Sequence, residues 1–169
     1  MKQLKYSMVA GSIFVLAAGS LAHFLYQWTG ENSFVGLLTP INESIWEHMK
    51  LVFFPMLFFA VFIIFKCKRG YPCIVSSMYM GIVTGTLLIP VFFYTYTKLL
   101  GKDIFILDLG TFVLSTIIAF FAAYKFALVP KMQSYTRIFG SLVCLLLLSF
   151  LFFTYYPPNL EIFADPTIS

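Results

Sequence analysis

The 169-residue chain is 60% hydrophobic and 11% charged, with a mean hydropathy of +0.91, whereas about a quarter of the residues in a soluble domain are charged. So few charges cannot cover a water-facing surface. This excludes an ordinary soluble domain and makes the bilayer the expected solvent for much of the chain. The formal net charge is +4 and no basic run exceeds Lys66-Cys67-Lys68-Arg69, so the excess reads as membrane orientation rather than as binding to nucleic acid.

A transmembrane helix needs roughly 20 apolar residues. Five such segments consume nearly the whole sequence, which predicts one all-α integral membrane domain over residues 1–169. The first span, about 6–28, follows the basic start Met1-Lys2-Gln3-Leu4-Lys5. Its apolar run is too long for the core of a signal peptide, so it is expected to be retained. The second, about 44–65, carries Pro55 as an expected kink. The third, about 72–96, has Pro90 near its outer end. The fourth, about 105–129, stops before Pro130, and the fifth, about 138–155, stops at Pro157-Pro158. Two stripes of small residues, Ser77/Gly81/Gly85 and Ala119/Ala123/Ala127, predict close helix packing, either within the chain or in a homo-oligomer. Cys67, Cys73 and Cys144 have neither the spacing nor the histidine neighbours of a zinc knuckle, and read as reduced and structural.

Basic residues set the expected orientation. With the N-terminus inside, Lys2, Lys5, Lys66, Lys68, Arg69, Lys125, Lys131 and Arg137 fall on the cytoplasmic side, against Lys50, Lys98 and Lys102 outside. This positive-inside bias predicts an outward C-terminus and a multi-pass protein of the cell membrane. On the same map all the acids, Glu31, Glu43, Glu47, Asp103, Asp108, Glu161 and Asp165, fall outside, together with both histidines, His23 and His48. Acids contribute little to orientation, so their segregation asks for another explanation.

That explanation centres on residues 39–50, where polar groups crowd the start of the second span. Ser44-Ile45-Trp46-Glu47 fits a capping box, with the Ser44 hydroxyl on the Glu47 amide and the Glu47 carboxylate reaching back to the Ser44 amide. The cap accounts for Glu47 and leaves Glu43 and His48 without a role. Glu43/Glu47 and Ser44/His48 are i,i+4 pairs on neighbouring stripes. His23 lies five residues inside Trp28, about 7.5 Å deeper at the helical rise, and Asp108 lies at a comparable depth. A carboxylate facing lipid costs ~2.5–3.5 kcal/mol at the bilayer centre and less near its edge. Asp108 is therefore expected to face the bundle interior, with His23 as its partner. Two histidines and two carboxylates suit zinc or another divalent cation with a position left for water. His23, His48, Glu43 and Asp108 are the expected ligands, and Glu43, His48 and Asp108 the expected catalytic groups. No HExxH, Walker loop, dinucleotide fingerprint or nucleophile elbow is present. No charge lies near a span midplane, which argues against an ion-coupled transporter.

His23-Phe24-Leu25-Tyr26-Gln27-Trp28-Thr29-Gly30, Asn42-Glu43-Ser44-Ile45-Trp46-Glu47-His48-Met49-Lys50 and the closing Phe163-Ala164-Asp165-Pro166 resemble the signature of an uncharacterised family of small multi-pass bacterial membrane proteins. The resemblance covers most of the chain and implies a bacterial membrane location. A looser similarity runs to membrane hydrolases of the alkaline-ceramidase type, which use a zinc site at one membrane face. The present chain lacks the three histidines expected there, and no residue is carried over. Two functions follow as expectations. One is a metal-dependent hydrolase acting on a lipid or envelope substrate at the outer interface. The other is a non-enzymatic binding, sensing or assembly subunit whose polar cluster ties helices together.

Overall fold

The computed structural model describes residues 2–166. Met1 and Ser169, the residue on which the expected outward C-terminus ends, lie outside the described residues. The fold is all-α among these residues. The long helices are α1 (Lys2–Trp28), α3 (Ile45–Cys67), α4 (Ile74–Leu100), α5 (Phe105–Ala127) and α6 (Thr136–Phe153), with a single turn, α2 (Ser33–Gly36), between the first two. Short 3-10 stretches occupy Pro130–Tyr135 and Glu161–Phe163. Five helical stretches are long and apolar enough to cross a membrane. Pro55 and Pro90 each sit inside a helix that continues past them.

Consecutive long helices alternate in direction. A Cβ placed on Gly11 would meet Phe59 and Phe120, and one on Gly19 would meet Leu51 and Phe112, so α1 runs antiparallel to both α3 and α5. The small residues of α4 and α5 face one another. A Cβ on Gly81 would stand 2.9 Å from the Ala119 carbonyl oxygen, and one on Gly85 would stand 2.8 Å from Ala119 Cβ. Ser77, Ala119, Ala123 and Ala127 are buried with them. The two stripes are thus consumed by contact within the chain, and the homo-oligomer expected through them loses that surface. Small side chains allow this approach of two backbones, which is how helices gain contact when apolar surroundings remove the drive to hide apolar groups.

α3 is the central helix. Met49, Val52, Phe53, Met56, Ala60 and Ile63 are all buried along it. α6 is peripheral, with only Val143 and Phe150 buried among its own residues. Phe150 reaches α3, its ring centroid 5.0 Å from Phe53 and 4.7 Å from Trp46. Cys67 and Cys73 are buried and Cys144 is exposed, all three as free thiols. The Cys73 thiol donates to the Pro130 carbonyl at 3.4 Å, whereas Cys144 lies on the apolar exterior.

The alternating directions sort the charges into two ends. The N-terminus of α1, the α3–α4 turn and the α5–α6 connection form a basic end. The α1–α3 connection, the α4–α5 turn and the segment after α6 form the other, which holds every acid and both histidines among the described residues.

Candidate metal centre

Local sequence builds this acidic end step by step. α1 stops at a Schellman turn: the Glu31 amide bonds the Tyr26 carbonyl at 3.0 Å and the Gly30 amide bonds Gln27 at 3.1 Å. Gly30 (φ 67°) takes the left-handed conformation this requires, and Glu31 (φ 60°) follows in the same region. The Asn32 side chain then caps α2, accepting from the Phe34 amide at 2.9 Å. Asn42 Oδ1 accepts the Ser44 amide at 3.0 Å, and Ser44 Oγ accepts the Glu47 amide at 3.4 Å. Half of the expected capping box is therefore present. The Glu47 carboxylate does not return to the Ser44 amide, because Asn42 already holds it. It turns instead to the Ile41 amide at 3.0 Å and to Lys50 Nζ at 2.7 Å.

Lys50 is the residue that sequence reasoning misplaced. Its position at the start of a span suggests an interfacial cation, but its side chain is 0% exposed. Its ammonium reaches the Gly36 carbonyl at 2.9 Å, the Thr39 carbonyl at 3.4 Å, Glu47 at 2.7 Å and Thr154 Oγ1 at 2.6 Å. The Thr154 hydroxyl in turn donates a hydrogen bond to the Phe150 carbonyl at 2.6 Å. A buried charge is tolerated only when paired and fully hydrogen-bonded, and Lys50 meets that condition. The network pins the α1–α3 connection onto α3 and the end of α6. It thereby fixes the backbone of residues 36–41, immediately before Glu43.

On the other side of this staple, three of the expected site residues meet. Glu43 Oε1 is 3.8 Å from His23 Nε2, and Glu43 Oε2 is 3.4 Å from His48 Nε2. The two imidazole rings are 5.3 Å apart. One ligand-competent atom from each of His23, Glu43 and His48 lies within 4.8 Å of the others. His48 Nδ1 is 2.9 Å from the Ser44 carbonyl oxygen. That oxygen can only accept, so Nδ1 carries a proton and Nε2 is the nitrogen that faces the cluster. This is the arrangement by which proteins orient a metal-ligating histidine. Among the described residues, His23 Nδ1 is buried with no hydrogen-bond partner.

Asp108 takes a different hydrogen-bond partner. It faces protein, as a carboxylate at that depth should, but the tyrosine hydroxyl of Tyr96 donates to it. No hydrogen bond or ion pair joins Asp108 directly to His23 among the described residues, and it lies outside the three-residue group, although it is close enough to His48 for the two to interact electrostatically. The four-residue turn 101–104 brings the end of α4 against the start of α5, within reach of the Tyr96 hydroxyl.

A pocket of about 180 Å³ opens beside the cluster, lined by His23, Tyr26, Gln27, Asn42, Glu43 and Asp165 among others. Phe24 and Trp28, stacked with ring centroids 5.7 Å apart, are exposed on the same stretch of α1.

Residues 1–169 match a family of unknown function, DUF6512, and the chain belongs to it. No curated protein and no solved structure matches the chain.

Proposed function

We propose that this member of the DUF6512 family is a multi-pass protein of the bacterial cell membrane with a divalent-cation site near the outer interface, and that it hydrolyses a lipid or envelope substrate there. The observation that carries the reading is the convergence of His23, Glu43 and His48 within 4.8 Å, with the His48 ring oriented by the contact of its Nδ1 with the Ser44 carbonyl. Two imidazoles and one carboxylate are a ligand set used for zinc, and three protein ligands leave a position for water. A cation held there would lower the pKa of that water and create a nucleophile at neutral pH. The Glu43 oxygen left without a cation would be the proton acceptor. The exposed Phe24–Trp28 pair beside His23 supports a substrate that approaches from the apolar layer. The distribution of Lys and Arg supports the acidic end as the outer one. Reporter fusions after Arg69 should then read cytoplasmic.

The buried Lys50–Glu47 pair supports the second reading for part of the cluster, because it gives Glu47 an architectural role in full. It gives none to Glu43, which is 44% exposed. Elemental analysis of protein purified in mild detergent separates the two readings. The wild type should carry a stoichiometric divalent metal, and His23→Gln, Glu43→Gln and His48→Gln should lose it while keeping the wild-type melting temperature. A wild type without metal, or Gln variants with full content, returns the cluster to a structural role. Mass spectrometry of a bacterial lipid extract incubated with the metal-loaded protein then tests the hydrolase reading, with Glu43→Gln as the control.

A further inference from the structure

The basic end carries an arrangement of its own. Lys66 and Lys125 lie in the last turns of α3 and α5. Each ammonium is seated over a phenyl ring one turn earlier on its own helix. Lys66 Nζ is 5.7 Å from the Phe62 centroid, and Lys125 Nζ is 5.4 Å from that of Phe121. Those rings face outward, 59% and 60% exposed. The helices that carry them meet nearby. Phe59 is 6.0 Å from Phe62 and 5.7 Å from Phe120, the neighbour of Phe121, and Gly11 of α1 packs against both Phe59 and Phe120. The first turns of α1 bring Lys2 and Lys5 to the same end.

Helix stability does not account for these cations together. A cation in a last turn suits the helix dipole, which covers Lys66 and Lys125, but Lys2 and Lys5 stand at the opposite, positive end of α1. All four lysines are exposed. Among the described residues none of them forms an ion pair, and every Asp and Glu lies at the other end. A lysine packed on an outward phenyl ring keeps its stem on apolar surface while its charge reaches for water. The ammonium is thereby held at the boundary between the apolar layer and water, the level at which lipid phosphates sit.

We propose that the basic end is a docking surface for anionic phospholipid headgroups, with Lys66 and Lys125 as its ring-seated anchors and Lys2 and Lys5 adding to the field. The proposal rests on the membrane reading and is independent of the metal site. Charge complementarity selects the occupant, because clustered Lys and Arg at a membrane surface attract anionic lipid. Each ring also restricts its lysine before a lipid arrives, which lowers the ordering cost of binding. The acidic end repels the same headgroups, so the preference belongs to one end only.

The test is native mass spectrometry of the full chain in neutral detergent, titrated with dioleoylphosphatidylglycerol or dioleoylphosphatidylcholine. The melting temperature without lipid is the fold control. Phosphatidylglycerol should bind the more tightly. Lys66→Gln and Lys125→Gln should each weaken it about 5-fold with an unchanged melting temperature, and Lys66→Arg should retain it. Phe62→Leu keeps every charge and should still weaken it about 2-fold. Lys98→Gln, which removes a cation from the acidic end, should change nothing. Equal affinity for the two lipids, or the same loss in Lys98→Gln, overturns the docking surface. Full affinity in the Lys66→Gln/Lys125→Gln double variant overturns the anchors. Flotation with vesicles of each lipid separates this from the membrane reading. A chain that inserts into both without preferring phosphatidylglycerol overturns the proposal alone, and one that inserts into neither overturns both.

Discussion

Lys50 and Glu47 lie one turn apart on α3, and their charged atoms meet at 2.7 Å with both side chains buried. The pair joins a loop, a helix start and the end of the last helix at one point. Removing one member strands the other as an uncompensated buried charge, which costs about 3–5 kcal/mol. Lys50→Met should lower stability by that amount in detergent denaturation. Adding Glu47→Gln to it removes the stranded charge and keeps an acceptor for the Ile41 amide, so the double variant should be more stable than Lys50→Met alone. A double variant as unstable as the sum of the two singles would show that the charges are not coupled.

Ser44 performs two tasks with different atoms. Its hydroxyl caps α3 and its carbonyl oxygen orients His48. Ser44→Ala removes only the first, so it should cost about 0.5–2 kcal/mol and leave the bound-metal content unchanged. Loss of metal in a folded Ser44→Ala would assign the hydroxyl a part in the site.

Asp108 is bonded by Tyr96 and stands apart from the three-residue group. Tyr96→Phe should lower stability by about 1 kcal/mol, the worth of an ordinary hydrogen bond. Asp108→Asn should retain the wild-type metal content. Complete loss of metal in Asp108→Asn would restore Asp108 as a ligand.

Two glycines make opposite predictions. A Cβ on Gly19 would lie 2.6 Å from the Leu51 carbonyl oxygen and 2.7 Å from Phe112, whereas nothing lies within 4 Å of one on Gly110. Gly19→Ala should destabilise by about 1–3 kcal/mol through overpacking. Gly110→Ala, in an open position on α5, should stabilise by about 0.5–1 kcal/mol. Melting curves of the two variants check the signs. A neutral Gly19→Ala would mean that α1 sits farther from α3 and α5 than the structure has it.

The five long helices and the gathering of acids at one end are legible in the sequence because both follow from linear patterns, apolar length and the alternation of ends. The Ser44 cap is legible for the same reason: all its atoms lie within four residues. Lys50 is not. Two of its four acceptors are main-chain carbonyls, Gly36 and Thr39, which every residue possesses and no motif marks, and the Thr154 hydroxyl is 104 residues away. A lysine at the head of an apolar run reads as interfacial until those partners are known. The displaced half of the capping box has a similar cause. Asn42 and Glu47 compete for the Ser44 amide, and which one wins depends on the loop path set by Lys50. Tyr96 was hidden by its type, since tyrosine near a helix end is expected in an interfacial belt, and its hydroxyl bond to Asp108 depends on how tightly the turn at Gly101 folds. The nearness of Glu43 to His48 follows from their neighbouring stripes on one helix start, but depth points His23 toward Asp108, and the approach of Glu43 to His23 is a matter of tertiary distance alone.

The reach of Lys50 to Thr154 also sets an order of events during biosynthesis. α3 emerges from the ribosome long before Thr154 has been made, so its ammonium begins with Glu47 as its nearest side-chain partner, three residues away. The last of its bonds closes only when residue 154 arrives, 104 positions later. Arrival of residue 154 is thus registered at a single buried nitrogen in the first third of the sequence. A product broken off before Thr154 lacks that acceptor, and Lys50 is left with three of its four partners.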